Sequence, residues 1–515
     1  MPVDVKPARH YAETMFSNPI ISGFNPDPSI CFADGTYYIV TSTFEFFPGV
    51  TIWESKDLVN WSYCDSALKT EDHLDLTQSP DSLGLYAATL RHHNGRFYMV
   101  TTNKYLKFNF VVSSDNIHGP WTTPAFIWKT GIDPSLFFTE DGRCFYTSNG
   151  ETDPYTKARG IFGAFINPDT GEMLEPFKPI CGSCGGSSTE APHIYFRDGW
   201  YYLILAEGGT GMGHHVCALR SRDIHGPYEQ CPDNPILSHV SRKGHAIQCT
   251  GHADMIDIGD DRWMAVFLAT RKNTDIPLTT LGRETFMAPV TWTADGWPVI
   301  GDGGHVELEM PDIVPAKQKE RQDQFVDFRK PLSDYPVLKV RVPKDECYIQ
   351  NKKIAEITLV GQERLETPLG HPTMLLIRQP EFKSELIVKL DLSRLKGTAG
   401  VCAWLQTNYH ARMGIRKNGA GIVASMYRHV HDLGAVTKEK EIAVCDDSIE
   451  LRIITTREHY EFYAAGVLVD RISYAGLTTG CTCGNCFTGT LLGIYAEEGE
   501  AVFIDGMRLM TAVST

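Results

Sequence analysis

Three carboxylates in this chain recur at one point of a repeated pattern. Asp27 in NPDPS, Asp133 in IDPSLF and Glu190 in STEAPHIYF each stand seven or eight residues ahead of an Asp-Gly dipeptide and an aromatic, β-rich run. Carboxyl groups that converge on one cavity can cleave a glycosidic bond with inversion. One, protonated, gives its proton to the leaving oxygen, and another, ionised, activates water on the opposite face of the sugar. A third close by helps hold the two states apart, because a like charge raises a neighbour's pKa. Glu reaches farther than Asp, which suits Glu190 to the proton donor and Asp27 to the water-activating base. Spacing alone does not assign these roles, and Asp27 and Asp133, each followed by Pro, also suit turn positions.

The runs that follow are Thr36–Thr41, Arg143–Ser148 and Trp200–Leu205. Two further units share the layout. Tyr86 precedes Asn94-Gly95 and Arg96–Thr101, and His252 precedes Asp260-Asp261 and Arg262–Leu268. Asp-Gly and Asn-Gly between β-rich runs signal tight hairpins, since both turn positions must accept positive φ. Five units at roughly 50–60-residue intervals match the period of propeller blades. Equivalent positions would then face one central axis. A Ser-x-Asp phrase closed by an aromatic residue, at Ser55–Trp61, Ser114–Trp121 and Ser221–Tyr228, reads as the outer hairpin of blades one, two and four. The predicted fold is all-β, with a five-bladed propeller over residues 1–314.

Residues 315–328 are charged, lack an apolar period and read as a linker. Short β runs continue beyond it at Leu386–Leu392, Gly421–Tyr427, Ile449–Thr455, Tyr460–Ile472, Gly489–Ala496 and Ala501–Met510, but the carboxylate repeat does not. This pattern predicts a β-sandwich over 329–515. Its apolar strands and short linker predict firm packing on the propeller, with the stretch around Phe487 closing the open end of the pocket.

The chain has 515 residues, and its net charge of −15 argues against nucleic acid or an anionic membrane as partner. It shows neither an apolar core of signal-peptide length near its start nor a bilayer-spanning run. Fourteen scattered cysteines point to a reducing compartment, and a cytoplasmic location is expected. Cys181 and Cys184 have C-x-x-C spacing, and Cys481, Cys483 and Cys486 lie close together, but neither group has a second pair at zinc-knuckle spacing. Both are read as loop thiols, and no metal ligands are assigned.

The stretch from Asn18 to Trp61, together with IDPSLFF, TEAPHIYFRDGWYYL, TGHADMID and LGRETF, resembles glycoside hydrolase family 43. The closest likeness is to its β-xylosidase and α-L-arabinofuranosidase group, which carries a C-terminal β-sandwich. The resemblance implies an inverting, exo-acting hydrolase that needs no cofactor. It implies Asp27 as general base, Glu190 as general acid, and Asp133 as the carboxylate that tunes the acid and orients substrate. Arg283 and Phe44 correspond to sugar-contacting residues. His252 corresponds to a histidine on the central axis, where a structural calcium or other ion would find a place; an ordinary buried histidine is the other reading. Where the family commonly shows Trp-Ala-Pro, this chain has Tyr86-Ala87-Ala88, a change in the pocket wall. The implied substrate is a xylo- or arabino-oligosaccharide, with terminal β-D-xylose first and α-L-arabinofuranose second. Homo-oligomers are compatible with the sequence. A non-catalytic sugar-binding propeller is the distant alternative, and a lectin has no need of three aligned carboxylates.

Overall fold

The computed structural model describes residues 15–129, 131–150, 160–276, 278–311, 316–320, 323–419 and 421–511. The first fourteen residues, and Pro315 and residues 321–322 of the expected linker, lie outside them. Strands make nearly all of the regular structure, and the only helical elements among the described residues are four short 3-10 turns.

Five antiparallel sheets follow one another along the chain, over residues 29–68, 85–127, 135–181, 190–238 and 247–300. Each has four strands in sequence order; the fourth sheet adds a short pair, Leu237–Ser238, beside His215–Ser221. The expected hairpins join first to second strands. At Asp34-Gly35, Asn94-Gly95 and Asp198-Gly199 both residues have positive φ, so each two-residue turn matches the right-handed twist of its strands. The Ser-x-Asp phrases connect third to fourth strands of the first, second and fourth sheets.

The first strands carry the informative irregularities. Register shifts fall between Tyr86 and Thr89, between Glu190 and His193, and between Gly251 and Asp254. Such bulges bend a strand end and re-aim its side chains. Asp27, Asp133 and His252 hold φ of 54°, 53° and 55°, and Ala191, next to Glu190, holds 53°. Left-handed backbone is costly for non-glycine residues and persists only where its surroundings impose it.

The first strands meet at a buried polar hub. The fully buried Asp254 accepts from Ser29 Oγ at 2.7 Å, the Ile30 amide at 3.0 Å and Tyr195 Oη, and takes a bidentate pair from Arg91 at 2.8 and 3.0 Å. Arg91 also donates to His193 Nδ1 at 3.0 Å, and Ser135 Oγ lies 3.0 Å from the same nitrogen. Residues of all five sheets are thus tied through one carboxylate.

Beyond Gln324, an eight-stranded and a six-stranded sheet enclose one apolar core that includes Leu386, Val401, Met413, Phe462 and Phe503. Two expectations are corrected. Gln324–Asp327, read as linker, is a strand paired with Gly506–Leu509, because Val326 buries its side chain in this core. Tyr460–Ile472, read as one run, is two strands, His459–Ala464 and Val467–Ser473, turning at Ala465-Gly466 with φ of 49° and 72°. Alanine gives no turn signal, which is why the hairpin was not legible.

The C-terminal sheets pack on the N-terminal ones without a gap. Phe24, Phe44, Phe46 and Tyr86 share an apolar cluster with Leu338, Met374, Trp404 and Leu491. Lys339–Val340 pairs with Phe46–Phe47. Arg341, 1% exposed, donates to the carbonyls of Ser79 and Gly370 and to Asp81, and Arg378 donates to the Phe24 carbonyl and Thr51 Oγ1.

Candidate active site

One cavity of about 80 Å³ is lined by Asp27, Phe44, Tyr86, Ile132, Asp133, Glu190, Thr210, His214, His252, Leu268, Arg283 and Phe487. The seven residues singled out from sequence are therefore together, as is Phe487. Ile132, Thr210, His214 and Leu268 were not foreseen. Thr210 and His214 lie in the glycine-rich connection GGTGMGHH, which has no counterpart in the other units. The one pointer to His214 is distant: a Cβ at Gly251 would sit 2.3 Å from its ring, so glycine there makes its space.

Arg283 organises the floor. It donates to Asp27 Oδ1 at 2.8 Å, to Thr210 Oγ1 at 2.9 Å and to the Phe487 carbonyl at 3.1 Å, joining the base of the pocket to the C-terminal half of the chain. Phe44, Tyr86 and Phe487 form an aromatic wall, with ring centroids 5.3 to 5.8 Å apart. The Tyr86 hydroxyl donates to the Ser82 carbonyl at 3.1 Å. It is therefore committed to the backbone, and Tyr86 presents the pocket with a ring.

The carboxyl groups divide into two states. Burial raises the pKa of Asp27, but the Arg283 guanidinium beside it overcomes this and holds the group below its ordinary value. Burial raises Asp133 well above its ordinary range, with the charges of Glu190 and Asp27 adding to it. Glu190 is pushed up to about 7, by burial first and the Asp27 charge second. Near neutrality this is an ionised Asp27 facing a proton-holding Asp133–Glu190 pair, the arrangement that separates base from acid.

His252 Nδ1 lies 3.8 Å from Asp27 and 4.0 Å from Asp133, and burial lowers its pKa, so the ring is neutral. A calcium ion takes six to eight oxygen ligands, and of the two carboxylates beside His252, Asp27 is already paired with Arg283. His193, the neighbouring imidazole, accepts from Arg91 at Nδ1, which leaves the proton on Nε2 and no lone pair there for a cation.

An all-β scaffold that brings an ionised carboxylate, a proton-holding carboxyl pair and an aromatic wall to a small pocket fits a glycosidase-type site. Residues 16–298 match the glycosyl hydrolases family 43, and residues 326–502 match the beta xylosidase C-terminal concanavalin A-like domain. The chain is 34% identical over 504 residues to a non-reducing end alpha-L-arabinofuranosidase of Bacteroides ovatus, covering 95% of this chain and 93% of that protein. It is 30% identical over 487 residues to a beta-xylosidase of Bacillus subtilis, covering 89% and 88%. The solved structure of xylan beta-1,4-xylosidase from Bacillus halodurans superposes with a TM-score of 0.88 at 29% identity, over 96% of this chain and all of that one. The chain belongs to glycosyl hydrolases family 43 and is a glycoside hydrolase.

Proposed function

We propose that this enzyme removes single terminal β-D-xylose units from the non-reducing end of xylo-oligosaccharides, with inversion. The observation that carries the exo reading is the lid residue Phe487, whose carbonyl is held by the same Arg283 that holds Asp27. A pocket of about 80 Å³ walled by Phe44, Tyr86 and Phe487 suits a terminal sugar better than a chain running through. Five sheets of one layout support a radial, five-bladed propeller. We place the boundary of the C-terminal sandwich at Gln324, where its edge strand begins.

In this reading Glu190 gives its proton to the glycosidic oxygen as that bond breaks. A water on the opposite face forms the new bond to the anomeric carbon and loses a proton to Asp27. Asp133 holds the acid's proton within the pair and orients the sugar, and Arg283 fixes Asp27 in its charged form. The fourteen free thiols support work in a reducing compartment such as the cytoplasm.

The pH dependence follows from the two states. Activity rises with pH as Asp27 ionises and falls as Glu190 loses its proton, so kcat/KM is expected to show an alkaline limb near the Glu190 value of about 7. A limb displaced by about two pH units or more would remove Glu190 from the acid role.

A second reading, removal of α-L-arabinofuranose, is favoured by Tyr86, a smaller ring than the Trp usual in the family. Rates on an aryl β-xyloside, an aryl α-L-arabinofuranoside and xylobiose, measured side by side, test the choice. The first and third are expected to lead; turnover of the arabinofuranoside alone would reverse it. Tyr86→Trp is expected to shift the ratio of the two aryl activities, because a larger ring crowds Phe44 and Phe487. Tyr86→Phe is expected to leave that ratio within about twofold and to cost roughly 1 kcal/mol of stability through the lost bond to Ser82. An unchanged ratio in Tyr86→Trp would return Tyr86 to the apolar core.

A further inference from the structure

The loop that delivers Glu190 is anchored on a second constellation, outside the pocket. Glu207 and His215 are cross-strand partners on the second and third strands of the fourth sheet, and Cys217 is two residues along from His215 on the same face. One ligand atom from each of the three lies within 4.8 Å of the others. Cys184, in the Gly/Ser loop before Glu190, packs on the apolar cluster that contains Cys217, within interaction range of its thiol. The Cys181–Cys184 spacing noted in sequence is therefore not the relevant pair.

The donors are oriented as ligands are. His215 Nδ1 donates to the Gly213 carbonyl at 2.8 Å, which leaves Nε2 as the ring nitrogen open to a ligand. That nitrogen faces Glu207 Oε2 at 3.9 Å, too far for a hydrogen bond. A carboxylate has about four acceptor sites. On Glu207, whose side chain is fully buried, Oε1 accepts from the Cys184 amide at 2.7 Å and Thr189 Oγ1 at 2.8 Å, and Oε2 from the Gly186 amide at 2.7 Å. The remaining site is on Oε2, the oxygen nearest His215. Glycine at 186 is needed for this approach, since a Cβ there would lie 2.5 Å from Oε2.

We propose that Cys184, Glu207, His215 and Cys217 bind one borderline-soft divalent cation of the zinc class, which clamps the loop 184–189 to the fourth sheet. Two thiolates, one imidazole and one carboxylate make a closed four-ligand set of the structural type. The backbone and hydroxyl donors on Glu207, and the carbonyl on His215, are the outer partners that orient such ligands. Binding releases the two thiol protons to solvent. The cation does not touch the sugar pocket; it holds the segment from which Glu190 projects.

The test uses the full-length protein, kept reduced, stripped with chelator and titrated with Zn²⁺ or Co²⁺. About one equivalent of Zn²⁺ is expected to be retained, and Co²⁺ to give a near-ultraviolet thiolate charge-transfer band with intense visible bands of a tetrahedral site. Amide exchange over residues 182–189 is expected to slow on adding Zn²⁺. Cys217→Ser and His215→Gln are expected to lose the cobalt band, and Cys483→Ser, in the exposed cysteine cluster, to keep it. Absence of the thiolate band in the folded wild-type protein would overturn the proposal, whatever the variants do. So would a band that disappears in Cys483→Ser, or Zn²⁺ binding that leaves exchange of the loop unchanged.

Discussion

Replacing Glu190 by alanine is expected to lower kcat on xylobiose by roughly 10²–10⁴-fold, and Asp27→Ala by a similar factor, the usual contribution of a general acid or base. The two losses are expected to differ in kind. In the proposed mechanism Glu190 serves the leaving oxygen, so an aryl xyloside with an acidic phenol, which departs without a proton, should recover much of the lost rate in Glu190→Ala. Asp27 serves the water, so no leaving group should rescue Asp27→Ala. Arg283 would be left with an unpaired charge in that variant, so Asp27→Asn is the companion that keeps the shape. Near-normal turnover of xylobiose in either alanine variant would remove the assigned role, and leaving-group rescue in the Asp27 variants would exchange the two roles.

The second large effect is on stability. Asp254→Ala removes the acceptor for Arg91, Ser29, Tyr195 and the Ile30 amide at once, and strands the Arg91 guanidinium in the hub. Breaking a buried ion pair from one side costs about 3–5 kcal/mol. The double variant Arg91→Met, Asp254→Ala is expected to lose less than the sum of the singles, because no buried charge is left behind. The pH dependence has a definite sign. Burial would raise Asp254, but the Arg91 guanidinium holds its pKa below the ordinary 3.8. Its contribution is therefore complete above that value and is lost as pH falls below it. Urea midpoints measured from neutral to acid pH check both points. An Asp254→Ala midpoint equal to wild type would show that the hub does not hold the sheets together.

Much of this site was legible because it repeats. Asp27, Tyr86, Asp133, Glu190 and His252 precede hairpins of one design, and a repeat gives equivalent residues equivalent places. Arg283 and Phe44 came only through resemblance, since nothing local distinguishes them from a surface arginine or a core phenylalanine. His214 and Thr210 stand in a connection peculiar to one sheet. Asp254 lies within a phrase that was noticed, yet its partner Arg91 is 163 residues away, and one buried charge gives no periodic signal. The linker failed for a related reason: a four-residue edge strand needs its partner, here the last strand of the chain, before Val326 has anywhere to bury. The Tyr86 hydroxyl gave no sign in sequence of its partner, the Ser82 carbonyl, which the turn at Ser82, with φ of 59°, presents to it.

The proposed enzyme is an inverting, exo-acting pentosidase built on Asp27 and Glu190. Proton NMR of the first-formed sugar, recorded during turnover of a reduced-end-blocked xylotriose before mutarotation, tests it most directly. Xylose is expected as the sole released monomer, appearing first as the α-anomer. First-formed β-xylose, or release of xylobiose ahead of xylose, would contradict it.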